Sequence, residues 1–173
     1  LISGADQPRT SVVDLTARRV RLVVGEETPD RAEDFGGSLA SGHEAWLPDA
    51  GNAVPRFFRV DRIRRKIAVY RYPDGQRLWS VNTPSSVHHL VADRNDTSLW
   101  YALCEGSPKA RLPPSVLAIR EVGDNVFEVT GHVNLPVRPA DLPRAGAHHL
   151  DEDPHHGHLY VGSAEGFLYV LDK

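Results

Sequence analysis

The sequence predicts an all-β protein built from repeated antiparallel units, on the basis of three observations. First, residues 159–173 form two short runs rich in β-branched and aromatic side chains around a turn at 164–166, which is the pattern of a hairpin. Second, a shift of 158 positions places Gly4 on Gly162 without a gap, so the chain opens on the same pattern. Third, helical periodicity is nearly absent along the chain.

Histidine marks the start of three further segments between the two end hairpins. His43, His88 and His148 each open a strand-like segment, and they are separated by 45 and then 60 residues. Units of about 40–50 residues that hold several short strands are typical of β-propeller blades. Proline-rich insertions at 107–114 and 135–143 account for most of the longer spacing, because insertions fall in loops.

The first two units span residues 1–40, a partial blade, and 41–85. Turn residues such as those at 73–75 bound their strands, while Pro29 and the glycine pair at 36–37 favour a surface loop over a helix. Strands are predicted at Leu1–Gly4, Ser11–Leu15, Val20–Val24, His43–Leu47, Arg56–Val60, Lys66–Tyr72 and Arg77–Val81.

The last two units span residues 86–145 and 146–173, and the final one is again a partial blade. Turn-forming aspartate, asparagine and glycine residues at 93–96 and 123–125 separate the strands of the third unit. Strands are predicted at His88–Ala92, Ser98–Cys104, Ser115–Val122, Val126–Leu135, His148–Asp151, Leu159–Gly162 and Phe167–Leu171.

Two segments resemble the repeats of PQQ-like and YVTN-like β-propeller proteins. Residues 159–172 resemble the element YVGS-x-DG-x-LYALD, and residues 67–79 resemble LYALD-x-x-TG-x-x-LW, with Tyr72-Pro73 in place of Asp-Ala. The resemblance implies a propeller blade in which Trp79 docks between neighbouring blades. It does not imply quinone chemistry, because the cofactor-binding residues of quinoprotein dehydrogenases are not visible here. The histidine-led strands distantly resemble the propellers of oligogalacturonate lyases.

Size and composition limit the organisation of the chain and its partners. A propeller needs four to eight blades, so two full and two partial units predict a segment of a larger propeller. The alternative is a closed domain in which the first hairpin completes the last blade.

The balance of 20 basic and 23 acidic residues gives no strong electrostatic field and predicts no nucleic-acid partner. No run of 18 apolar residues exists, so no membrane span is predicted. The single Cys104 leaves the compartment undecided.

The nine histidines are the main functional signal. The first strand of each blade lines the central channel, so equivalent side chains from successive blades would converge on its axis. We therefore predict a metal site formed by His43, His88 and His148, for a divalent ion such as zinc, manganese or copper. The histidine-rich turn at 155–158 is interpreted as an exposed polar turn.

Two alternatives stay open for these histidines. Alignment on the aspartates that end the three strands would match Glu44, rather than His43, with His88 and His148. Alternatively, one histidine per blade hydrogen-bonds the backbone of a neighbouring blade and joins the blades, with no metal involved.

Two functions are consistent with this pattern. The first is a scaffold that binds a protein, small-molecule or carbohydrate ligand at the blade-top loops 31–42, 107–114 and 135–146. It is favoured because the sequence contains no nucleophile elbow, phosphate loop or dinucleotide motif. The second is a metal-dependent lyase or hydrolase acting on acidic carbohydrate, in which the predicted histidines hold a cation that neutralises a substrate carboxylate. No catalytic residue is assigned by the sequence.

Overall fold

Short antiparallel strands account for almost all the regular structure of the computed structural model, which describes residues 2–3, 10–24, 45–47, 55–62 and 64–173. The strands are β1 (Ile2–Ser3), β2 (Thr10–Asp14), β3 (Arg19–Val24), β4 (Ala45–Leu47), β5 (Arg56–Asp61), β6 (Lys66–Arg71), β7 (Arg77–Asn82), β8 (Val87–Ala92), β9 (Leu99–Cys104), β10 (Ser115–Gly123), β11 (Val126–Asn134), β12 (Ala147–Asp153), β13 (His158–Ser163) and β14 (Leu168–Asp172). A 3-10 turn at Leu142–Arg144 is the only helical segment among these residues. The predicted all-β class is confirmed.

The strand positions agree closely with those predicted from the sequence. Each strand coincides with a predicted one, and most strand ends agree to one residue. The agreement follows from turn chemistry, since asparagine and glycine adopt the positive φ angles that tight turns require: Asn125, between β10 and β11, has φ 61°, and Gly75, between β6 and β7, has φ 70°. In the part of the chain that the structure describes, no helix is long and apolar enough to cross a membrane.

Residues 1–82 form one compact unit with two antiparallel sheets, in the strand orders β1-β2-β3 and β4-β5-β6-β7. The middle strand β5 is buried along its whole length, and the rings of Phe57 and Tyr70 stack with centroids 5.9 Å apart. Val12 and Val24 of the first sheet belong to the same apolar cluster. Trp79, on the outer strand β7, is partly buried.

Residues 83–173 form the second unit, again from two antiparallel sheets, in the orders β11-β10-β9-β8 and β12-β13-β14. The first strands of the two sheets, β8 and β12, lie side by side. Both sheets contribute to one buried core, composed of Tyr101, Leu103, Val116, Leu135, Ala147, Leu150, Leu159 and Val161. This packing holds β8 and β12 against each other.

A buried network of charges also joins the two sheets of the second unit. The ammonium group of Lys173 lies 3.1 Å from Oδ2 of Asp93 and also contacts Oε1 of Glu152. The hydroxyl group of Tyr101 donates to the same Asp93 oxygen at 3.0 Å. The Glu152 side chain is only 1% exposed, so its charge requires a partner.

The pKa of Asp93 is lowered by a backbone hydrogen bond and by this network. Burial alone would raise the pKa of Asp93, but the backbone amide of Asn95, the Lys173 ammonium and the Tyr101 hydroxyl outweigh burial and lower the pKa. The network therefore contributes fully to stability above the unfolded-state pKa of about 3.9, and the contribution is lost as the pH falls through the lower folded-state value.

We expect Lys173→Met to lower the free energy of unfolding by about 3 kcal/mol, because Asp93 loses its cation and Glu152 keeps only the more distant Nε of Arg94, 3.6 Å from its Oε2. Urea unfolding at neutral pH measures the loss, and repetition at acidic pH should show a smaller difference between variant and wild type. Lys109→Met, in an exposed loop, is the control. Equal losses for the two variants would contradict a stabilising role for the network.

Candidate functional site

His88 and His148 occupy the same structural position, each as the extra residue of a β-bulge. In β8, Val87 pairs with Cys104, and His89 pairs with Leu103, which is adjacent to Cys104 on the antiparallel strand β9. His88 therefore has no partner position on β9. A bulge interrupts the strict alternation of side chains along a strand and redirects the extra side chain.

The same irregularity recurs at the start of β12. Ala147 pairs with Ser163, and His149 pairs with Gly162, which is adjacent to Ser163 on the antiparallel strand β13. This makes His148 the extra residue. Because β8 and β12 are neighbours, the two bulges bring their side chains together. The imidazole rings of His88 and His148 lie edge to face, with centroids 5.2 Å apart.

Glu105 is the third member of the group, and its backbone is fixed from both sides. It follows directly after β9, and its amide donates to the carbonyl of Ser86 at 2.8 Å. Its own carbonyl accepts from the amide of Ala147 at 3.3 Å, across the boundary between the two sheets. Its Oε1 lies 4.0 Å from Nδ1 of His148, and its side chain is only 14% exposed.

These three side chains are of the types that bind metal ions, and they lie close enough together that they could hold one. One nitrogen from each histidine and one carboxylate oxygen of Glu105 all lie within 4.8 Å of one another. Ligands bound at 2.0–2.2 Å in tetrahedral geometry are about 3.4 Å apart, so small side-chain rotations would complete the arrangement. His148 is 52% exposed, which leaves one side of the group open to solvent.

The structure brings together two of the three predicted ligands. His88 and His148 are adjacent, whereas His43 and the alternative Glu44 lie outside the described residues. Glu105 was not predicted, although a signal existed. A hairpin with its turn at 93–96 sets the end of the strand at 98–104 beside the start of β8, and Glu105 is the next residue.

The alternative role, in which a histidine joins neighbouring sheets, belongs to His89. Its Nδ1 accepts a hydrogen bond of 3.0 Å from the backbone amide of Leu150 in β12. A neutral His89 with Nδ1 as acceptor carries its proton on Nε2. The ring of His149 lies 6.3 Å from that of His89. Each histidine pair in this unit thus has one member at the bulge and one at the next position.

Residues 155–157 of the histidine-rich segment lie in the loop between β12 and β13, whereas His158 is the first residue of β13; all four are partly to fully exposed. Nδ1 of His156 lies 2.7 Å from Oδ2 of Asp153. This contact, together with the backbone amides of His155 and His156, lowers the pKa of Asp153 to about 2. These contacts organise the turn itself.

Comparisons with known proteins identify the fold. The β-propeller domain of Cps50 (Swd1) from Myceliophteria thermophila matches 96% of this chain and 46% of its own, with TM-score 0.62 and 13% identity. A protein from Lactobacillus plantarum matches with TM-score 0.62 and 16% identity, over 95% of this chain and 50% of its own. The fold is that of a β-propeller.

A third similar structure is the periplasmic gluconolactonase PpgL of Pseudomonas aeruginosa, with TM-score 0.61 and 18% identity over 94% of this chain and 48% of its own. This chain therefore spans about half the length of the solved propellers that it matches. No protein-family model matches the sequence, and no curated protein sequence matches it either.

We expect His89→Ala to lower the free energy of unfolding by about 1–3 kcal/mol, because the partly buried Leu150 amide loses its acceptor. Chemical denaturation measures the loss. The matched control is His132→Ala on the exposed face of β11, for which we expect a change within about 0.5 kcal/mol. An unchanged stability for His89→Ala would show that the hydrogen bond does not hold β8 to β12.

Proposed function

We propose that this chain is a ligand-binding β-propeller scaffold that holds a divalent transition-metal ion at His88, Glu105 and His148. The observation that carries the proposal is the pair of equivalent bulges, which place two imidazoles beside the carboxylate of Glu105. A bulge at one strand has a local effect, whereas the same bulge in two neighbouring strands aims two identical side chains at a common point.

The ligand set favours zinc, with copper and manganese as the other candidates. Two imidazoles and one carboxylate form the donor set of open zinc sites, in which a water molecule or a ligand takes the fourth position. Imidazole also suits copper, and the carboxylate suits manganese. Since His148 is half exposed, a ligand from solvent would have access to that fourth position.

The surroundings of the group limit the motion of its ligands. The backbone of Glu105 is hydrogen-bonded on both sides, so only its side chain has to move. Gly146, just before the second bulge, donates to Glu165 at 3.1 Å and accepts from the amide of Ala164 at 2.7 Å. These contacts hold the backbone two residues before His148.

A second candidate function is a metal-dependent lyase or hydrolase that acts on acidic carbohydrate. The open side of the group at His148 supports it, because a cation there would have room to bind a substrate carboxylate. The gluconolactonase among the similar structures is compatible with a carbohydrate-derived substrate. Incubation of the zinc- and manganese-loaded protein with polygalacturonate and with gluconolactone tests this candidate. Turnover that His88→Ala abolishes would support it, and no turnover with either metal would leave the scaffold function.

We expect the purified, metal-free chain to bind one zinc ion, measured by isothermal titration and by the zinc content after dialysis. His88→Ala, His148→Ala and Glu105→Gln should each weaken binding by tenfold or more, since each removes one of three ligands. A cobalt-loaded sample should show the visible absorption of a low-symmetry site, and His88→Ala should remove it.

The control for this experiment is the double variant His155→Ala/His156→Ala, which removes two exposed imidazoles from the histidine-rich turn. Its zinc affinity should equal that of the wild type. If the turn variant loses the bound zinc and the three site variants keep it, the ion belongs to the turn and the proposal is wrong.

A further inference from the structure

The sheet of β12, β13 and β14 has one covered face and one open face. Tyr169 and Leu171 of β14 pack against the core of the second unit. Leu168 and Val170 point to the opposite face, because side chains alternate along a strand, and they are 66% and 52% exposed. Val170 pairs with Tyr160 of β13, which is only partly buried. Tyr160, Leu168 and Val170 together form what we call the β14 face.

The equivalent strands of the two four-stranded sheets have no such open face. β6 and β10, like β14, lie third in their sheets when the strands are counted from β4, β8 and β12. β6 is buried on both faces at residues 67–70, and so is β10 at residues 115–117. β14 instead alternates between exposed and partly buried residues. The β14 face therefore lies where sheet packing buries both faces elsewhere in this chain.

The sheet of β1, β2 and β3 has a matching open face, while its other face packs into the core of the first unit. Val23 pairs with Ser11, and Val20 pairs with Val13. Since Ser11 and Val13 are two positions apart on β2, these four side chains lie on one face of the sheet. Val20 and Val23 are 56% and 51% exposed. Val13, Val20 and Val23 together form what we call the β3 face.

Exposed charges of opposite sign lie at the same end of the two faces. Asp172 is exposed at the end of β14, and Asp14 holds the equivalent position at the end of β2, 158 residues earlier. Asp14 is paired with Arg21 at 2.6 Å, and Arg18 and Arg19 are exposed beside this pair. Two sheets stacked in the same orientation would bring these arginines towards Asp172, which favours contact between the two faces.

We propose that two copies of this chain associate head to tail, so that the β14 face of each copy packs on the β3 face of the other. Exposed apolar faces bordered by charged residues are typical of protein interfaces. Contacts between unlike faces form a ring when the rotation closes. The chain matches 46%, 50% and 48% of the three solved propellers, so two copies together match the length of a complete one. This inference does not depend on the proposed metal site.

The first test is the mass of the full chain in solution, measured by light scattering after size-exclusion chromatography in the presence of EDTA, so that metal ions have no part in the result. We expect twice the 19.1 kDa of one chain at about 100 µM protein, a concentration above the Kd of weak protein interfaces. The mass of a single chain would overturn the proposal, because the two faces would then be covered in another way. A mass above two copies would also overturn it, because the contacts would not close.

Two variants, Val170→Asp and Val20→Asp, each place a charge in one of the two faces. Burial of a carboxylate without a cation is unfavourable, so each variant should weaken the association about tenfold or more. Both positions are exposed in the single chain, so the far-UV circular dichroism should stay that of the wild type. Val133→Asp is the control, since Val133 is 45% exposed on the outer strand β11 and belongs to neither face. Wild-type association of either face variant would show that the proposal is wrong.

An equimolar mixture of the two variants tests whether unlike faces meet. Either variant alone has one altered face in every contact, whereas the mixture can pack the intact β14 face of the Val20→Asp variant on the intact β3 face of the Val170→Asp variant. We expect a species of two chains in the mixture at a concentration where each variant alone is a single chain, and this species would also show that both variants are folded. Its absence, or a species of two chains formed by the Val20→Asp variant alone, would overturn the proposal.

Discussion

The candidate site depends on one local constraint, the interruption of strand alternation at the first residues of β8 and β12. Regular antiparallel pairing sends adjacent side chains to opposite faces. One extra residue in each strand removes His88 and His148 from that alternation. Since the two strands are neighbours in one compact unit, the displaced rings meet 5.2 Å apart.

That meeting point persists only if β8 and β12 keep their relative position, and three kinds of interaction maintain it. Apolar side chains from both sheets share a core that includes Leu103 and Leu150. His89 accepts a hydrogen bond from the backbone of β12. At the other end of the strands, Lys173 bridges Asp93 and Glu152. Burial provides most of the stabilisation, while the polar contacts set the register, because they are directional.

Much of the fold could be predicted from the sequence, and the candidate site only in part. The strands lie where they were predicted because each is a short β-branched and aromatic run between turn residues. The pairing of His88 with His148 followed from their equivalent positions in successive units. Glu105 was missed because a single glutamate after a strand carries no periodic signal, and only its position beside the start of the paired strand β8 could have indicated it. The histidine that joins the two sheets was not assigned, because the direction of adjacent side chains depends on a bulge, which leaves no mark in the alternation of polar and apolar residues.

The sequence by itself determined the all-β class, the strand boundaries and the recurrence of histidine at the start of β8 and β12, since all of these depend on local preferences and repeats. Only the tertiary structure decided that His88 lies in one group with His148 and Glu105, while His89 accepts a hydrogen bond from the backbone of Leu150. These features depend on contacts between strands up to about 60 residues apart, and the geometry of such contacts follows from packing rather than from any local pattern.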